Sequence, residues 1–409
     1  MRCSSLSLTI RNNLIIGQSG GATAVINASL VGAVEAAMAD ARIDGIYGMR
    51  YGVEGLLKED VIDLRRQPAD VWQRLLYTPS AALGTCRYKL EDEDPERVID
   101  ILRKYDIRSL LYIGGNDSAD TAHRIARAAQ RMDHEMHAIS VPKTIDNDLP
   151  FTDHCPGYGS AARFIALATM DSAMNTISIP EHYPVKVIET MGRDTGWLAA
   201  SSALGKRDYA DAPHIILMPE QTFHAEHFLA QVEDVYHQLG YVVVVAAETI
   251  RDEQGQALGA IGQVGADAFQ HPLLSGAAQY LVELVIRELK LRARFDKPGD
   301  LQRMASFSVS RTDRDEAYLV GKMGVQALLA GESDKMVTLV RQTEPAYHCT
   351  TELVELARVA NEQRLLPGDY LDESKTMVTR AFYEYALPLI GDPLPEHAQL
   401  EKIRIKGDE

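Results

Sequence analysis

Six consecutive residues, Lys143-Thr144-Ile145-Asp146-Asn147-Asp148, place an ammonium, a hydroxyl and two carboxylates directly after a short apolar run. A carboxylate beside a cation suits a general base whose substrate attacks an anion: the acid takes a proton while the ammonium holds negative oxygen. A turn rich in Asp and Asn needs no lysine, and Lys143 is what sets this stretch apart. A second stretch, Glu189-Thr190-Met191-Gly192-Arg193-Asp194, also ends an apolar run. Its Arg193 offers a planar fork for phosphoryl oxygens, although a surface ion pair would use it equally well.

Two glycine pairs add donors of another kind. They are Gly20-Gly21, within Gly17-Gln18-Ser19-Gly20-Gly21-Ala22-Thr23, and Gly114-Gly115, within Ile113-Gly114-Gly115-Asn116-Asp117-Ser118. Glycine lets backbone N–H groups approach an anion closely, and a following helix adds partial positive charge. Each pair is also what a plain strand-to-helix turn requires, and no Gly-Lys-Ser/Thr follows the first to make a Walker loop. Asp117, beside the second loop, would touch a magnesium ion, exclude a larger ligand, or cap the helix behind it.

These loops must be carried by regular elements. Short apolar runs at 13–17, 109–113, 137–141, 185–189, 214–218 and 241–246 read as buried strands. Helical spacing near 25–38, 158–177, 196–205, 224–239 and 274–291 separates them. The alternation predicts an α/β protein: two Rossmann-like three-layer α/β/α domains with mostly parallel sheets and a site in the cleft between them. In such sheets ligands sit at the carboxyl ends of strands, where every loop named above falls. One domain is expected over 1–150 with a return over about 303–350, and a second over 151–302. Thr351–Gln363 and Thr376–Ala386 read as helical, making 351–409 a C-terminal helical extension.

A chain of 409 residues with 46% hydrophobic and 24% charged residues can bury cores of this size. Its net charge of −16, with no long cationic stretch, argues against a nucleic-acid face. No apolar run reaches membrane-spanning length, and Met1–Leu6 lacks the apolar core of a signal peptide. Cys3, Cys86, Cys155 and Cys349 are scattered, and are read as reduced thiols of a cytoplasmic protein. The first loop lacks the spaced glycines of a nicotinamide-binding fold.

The four loops, in this order and spacing, resemble the phosphofructokinase family over residues 13 to about 330, and its diphosphate-dependent branch in particular. The resemblance implies transfer of a phosphoryl group from diphosphate to the C1 hydroxyl of fructose 6-phosphate. It implies Asp146 as the base, with Lys143 and Arg193 steadying the developing charge. Gly21, Arg87, Asp117, Ser118 and Lys143 would meet the donor. Thr144, Ile145, Asp146, Met191, Gly192, Arg193, Glu220, Arg294 and Arg303 would meet the sugar phosphate, and Asn116 and Asp148 would hold Mg²⁺.

Asp117 stands where ATP-using relatives have glycine, and Lys143 stands where they often have glycine too. Both changes favour diphosphate over ATP, the alternative donor. Asn116 replaces a metal-binding aspartate, Asp300 replaces a phosphate-binding histidine, and Pro184 falls where a cross-subunit arginine is expected, with Lys186 or His182 as substitutes. The family's shared sites imply a homodimer or homotetramer. A silent sugar-phosphate-binding subunit is the non-enzymatic alternative, which the intact Thr144–Asp148 set opposes.

Overall fold

A computed structural model of the chain describes residues 12–259, 276–398 and 400. Cys3 and the amino-terminal reading lie outside these residues, as does the start of the helix expected over 274–291.

Eleven strands form two sheets among the described residues. In chain order they are β1 (Asn12–Gln18), β2 (Ile43–Met49), β3 (Val61–Asp63), β4 (Ile107–Gly114), β5 (His137–Pro142), β6 (Val185–Thr190), β7 (Ile215–Leu217), β8 (Val242–Ala247), β9 (Ala293–Asp296), β10 (Lys335–Gln342) and β11 (His348–Glu355). The larger sheet runs β11-β10-β5-β4-β1-β2-β3 and the smaller β7-β8-β6-β9. β10, β5, β4, β1 and β2 are parallel, with β11 and β3 antiparallel at the edges. All pairs of the smaller sheet are parallel. Strands buried on both faces read as continuous apolar runs, which is why β1, β4, β5, β6 and β8 show in the sequence.

Apolar clusters cover both faces of each sheet. Around the larger one, Ile15, Leu110 and Tyr112 point to one core, and Leu14, Ile16 and Leu111 to the other. Val187 and Val244 of the smaller sheet face one core while Ile188 and Val245 face a second. This alternation buries successive side chains on opposite sides.

The tail is corrected by the structure. Thr351–Glu355, read as helix, completes β11 and pairs with β10, and helix resumes only over Leu356–Val359. Of the second helical stretch, Arg380–Ala386 is helix. Nor is the tail an appendage: Leu366, Val378, Phe382, Leu389 and Ile390 are buried in the core that also holds Ile188 and Trp197. No helix among the described residues is long and apolar enough to cross a membrane. Cys86, Cys155 and Cys349 are unpaired thiols.

Candidate active site

The site is assembled at the carboxyl ends of β1, β4, β5, β6 and β8. After β1 the chain turns through Gly20 (φ +76°), whose N–H bonds the Cys86 carbonyl at 3.1 Å and whose own carbonyl accepts from Thr85 Oγ1 at 2.5 Å. A Cβ on Gly20 would lie 3.2 Å from Lys143 Nζ, and one on Gly21 would lie 2.6 Å from an Arg303 guanidinium nitrogen. The glycines therefore admit two cations to the loop. Lys143, on the loop after β5, is 2% exposed and donates from Nζ to the Gly21 carbonyl at 2.8 Å.

Burial, with Arg303 and Arg87 nearby, pushes the Lys143 ammonium down to about 7, against the opposing pull of Asp146 and Asp148. An ammonium held at that threshold gains most when an anion arrives. Asp146 and Asp148 line the cleft with one face open, but burial raises both above the usual carboxylate range. Asp148 raises Asp146 further, while Arg193, Lys143 and Arg303 pull it down without prevailing.

The backbone fixes this arrangement. Thr144 pairs with Gly157, and its Oγ1 accepts the Asp146 N–H at 3.1 Å. Ile145 is buried in the second core, anchoring the turn between the two acids and the lysine. From the loop after β6, Thr195 Oγ1 donates to the Asp146 carbonyl at 3.1 Å, tying the smaller sheet's loop to the acidic turn. Gly192 (φ +135°) and Arg193 (φ +49°) make the sharp bend that precedes it, and the Met191 N–H is held by Gln302 Oε1 at 2.9 Å. Asp117 stands in the first turn of the helix Asn116–Arg131, and Ser118 beside it is buried against Gly114.

Residues 13–328 match the family described as phosphofructokinase. The chain belongs to the phosphofructokinase family. It is 38% identical over 411 residues to the pyrophosphate--fructose 6-phosphate 1-phosphotransferase of Halomonas elongata, covering 97% of this chain and 98% of that protein. It is 32% identical over 363 residues to the sulfofructose kinase of Alkalicoccus urumqiensis, covering 88% and 92%. The crystal structure of the pyrophosphate-dependent phosphofructokinase from Nitrosospira multiformis superposes with a TM-score of 0.86 at 35% identity, covering 96% of this chain and 95% of that one.

Within this family member, the structure gathers Gly21, Arg87, Lys143, Thr144, Asp146, Asp148, Arg193 and Arg303 around one cleft. It places Arg303 against the glycine loop, with its Nη2 2.8 Å from Asp300. Three expected residues have partners within the fold. Glu220 Oε1 accepts the N–H groups of Gly196 at 2.8 Å and Leu366 at 3.0 Å, so this oxygen braces backbone. Arg294 lies over the Tyr183 ring, 3.2 Å from its centroid, near the start of β9 and away from the strand ends. The Asn116 amide is engaged at both ends, accepting from the Asn361 N–H at 2.7 Å and donating to the Glu362 carbonyl. Lys186, a suggested stand-in for the missing arginine, is paired with Asp296 at 2.9 Å.

One acid escaped the sequence reading. Glu248 follows β8 directly, its N–H bonding the Thr190 carbonyl at 2.9 Å, and its side chain is partly open to the cleft. Burial, then Asp146 and Glu189, raise its carboxyl to about 7. Its only local signal was position, as the first polar residue after a buried parallel strand.

Asp148, raised by burial, is a carboxylate whose cost a hard divalent cation taking its oxygen would relieve.

Proposed function

We propose that the chain transfers a phosphoryl group from diphosphate to the C1 hydroxyl of fructose 6-phosphate, giving fructose 1,6-bisphosphate and phosphate. The observation that carries the reading is the buried Lys143 ammonium, bound to the Gly21 carbonyl and acting across space on Asp146. A small polyanion on the glycine loop would meet Lys143, Arg87 and Arg303, and an alcohol beside Asp146 would face its phosphorus.

Asp146 takes the hydroxyl proton, the C1 oxygen forms the new P–O bond, and the bridging P–O bond of diphosphate breaks to release phosphate. Lys143 and Arg193 hold the charge on the transferring group. Asp148 is the carboxylate for Mg²⁺, which when bound neutralises donor oxygens. Asn116 has only the second lone pair of its engaged oxygen left to offer. Glu248 is assigned to the sugar hydroxyls. Because the donor and the ester formed have similar transfer potential, the reaction runs both ways.

Asp117, as an acid at the second loop, opposes the α-phosphate of ATP. Arg294 serves a second copy of the chain: it is exposed on edge strand β9, over the Tyr183 ring. We read the assembly as a homodimer or a homotetramer built from it.

The test is a matrix of donors against acceptors on purified protein. Diphosphate with fructose 6-phosphate should be turned over, ATP at equal concentration should not, and Asp117→Gly should narrow that gap. Fructose 1,6-bisphosphate with phosphate should yield diphosphate. Activity confined to ATP overturns the donor assignment. Preference for a 6-sulfonated or seven-carbon sugar overturns the acceptor.

A further inference from the structure

The segment 361–366 runs across the mouth of the site as a strap. It starts at Asn116, where the Asn361 N–H is bound, and ends at Glu220, which accepts the Leu366 N–H. Between them lies Arg364. Its Nε and Nη2 donate to the Asn147 carbonyl at 3.2 and 2.8 Å, and its Nη1 to the carbonyls of Thr152 and Asp153 at 2.7 and 2.6 Å. Its own N–H bonds the Asp148 carbonyl at 2.7 Å. The guanidinium lies 4.7 Å from the Trp197 ring centroid, and Trp197 Nε1 donates back to the Arg364 carbonyl at 3.2 Å.

Asn147 is the residue between the two cleft aspartates, and it is left-handed, with φ +56°. After glycine, asparagine is among the residues that adopt this conformation most readily, because its short polar side chain can hydrogen-bond. Its amide is engaged at both ends, with Nδ2 donating to Tyr385 Oη at 2.8 Å and Oδ1 accepting from the Cys155 N–H at 3.0 Å. Its carbonyl is held by two guanidinium nitrogens. The peptide that fixes how Asp146 and Asp148 diverge is therefore clamped by Arg364. A lysine could not do this, since one ammonium cannot span three carbonyls that a planar fork reaches together.

We infer that Arg364 is a positioning residue for phosphoryl transfer: it touches no substrate, and it holds the Asn147 carbonyl so that the Asp146 and Asp148 carboxylates face the cleft. This rests on the roles given above to those two acids. A base displaced by about 1 Å loses about a hundredfold in rate without losing its chemistry.

The experiment uses the full chain with Arg364→Lys and Arg364→Ala, each also made on an Asp146→Asn background, assayed with diphosphate, fructose 6-phosphate and Mg²⁺. Arg364→Lys should lower kcat about tenfold and Arg364→Ala about a hundredfold, with KM for fructose 6-phosphate little changed. Guanidinium ion at millimolar concentration should restore part of the alanine variant's kcat, and ammonium ion should not. On the Asp146→Asn background the Arg364 substitutions should have a clearly smaller effect on kcat than in the wild-type background, because one of the two groups being positioned is gone. Equal losses in both backgrounds, a change confined to KM, or a lowered Tm with kcat per folded molecule intact would each overturn the inference. Should Arg364→Ala fail to fold, Arg364→Lys carries the same comparison. If Asp146→Asn alone kept wild-type kcat, the base assignment itself would fall, and that single variant tells the two failures apart.

Discussion

Asp146 and Asp153 belong to one loop, and burial acts on both, with opposite results. Burial raises Asp146, Asp148 raises it further, and Arg193, Lys143 and Arg303 act only across space. Burial would raise Asp153 too, but His154 Nδ1 at 2.8 Å and Arg341 at 3.0–3.1 Å bind it directly and hold it near 2. Burial would lower His154, yet Glu316 at 2.6 Å and Asp153 together raise it to about 9. The contrast teaches that burial alone does not decide the state of an acid. Contact with a hydrogen-bonded cation locks a charge in place, whereas cations kept at a distance leave it able to accept a proton.

The sharpest way to break that comparison is to neutralise each acid. Asp146→Asn should cut kcat about a thousandfold, the middle of the range for losing a general base. Its Tm should hold or rise, because a carboxylate whose charge the fold disfavours has been removed. Asp153→Asn should do the reverse. Leaving His154 and Arg341 without their carboxylate should destabilise the fold by about 3 kcal/mol, read by chemical denaturation, with kcat of the folded protein little changed. If the two variants lost stability equally, the distinction drawn here would be wrong.

Smaller effects sharpen it. Glu248→Gln should raise KM for fructose 6-phosphate about tenfold while kcat falls less, as expected when a sugar contact is weakened. Against pH, kcat/KM should fall on the acid side above the ordinary carboxylate range, as raised Asp146 takes up a proton. It should fall on the alkaline side as Lys143 discharges from about 7, far below an ordinary lysine. Stability follows the other cluster. His154, raised when folded, supports the fold fully below about pH 6.5, and that support is lost as pH climbs through about 9. Asp153, depressed when folded, contributes above about pH 4 and loses its contribution toward 2. Melting curves from pH 6 to 10 should show the first decline, and His154→Gln should flatten it.

Much of this was legible in the chain, for reasons that differ by residue. The buried parallel strands announced themselves because both faces are apolar, and the loops after them carry the polar chemistry. β2 was not legible: its seven residues include two glycines and follow no clean period. β11 misled because Leu353, Val354, Leu356 and Val359 mimic a helical face, whereas pairing with β10 decides the outcome. That pairing is a tertiary contact no local pattern contains. Glu248 and Arg364 were missed for the same reason, since each matters through neighbours far away in sequence. Arg294 matched by spacing, yet the fold turns it toward an outer edge, and one oxygen of Glu220 braces backbone.

Arg364 and the Asn147 carbonyl it grips are 217 positions apart along the chain. A ribosome adding about 5–20 residues each second needs roughly 10–40 s to cover that distance. The nascent protein thus carries its reactive acids long before it carries the clasp that aims them. Competence to turn over sugar phosphate arrives late in synthesis, when the carboxyl-terminal stretch emerges and closes onto the finished halves.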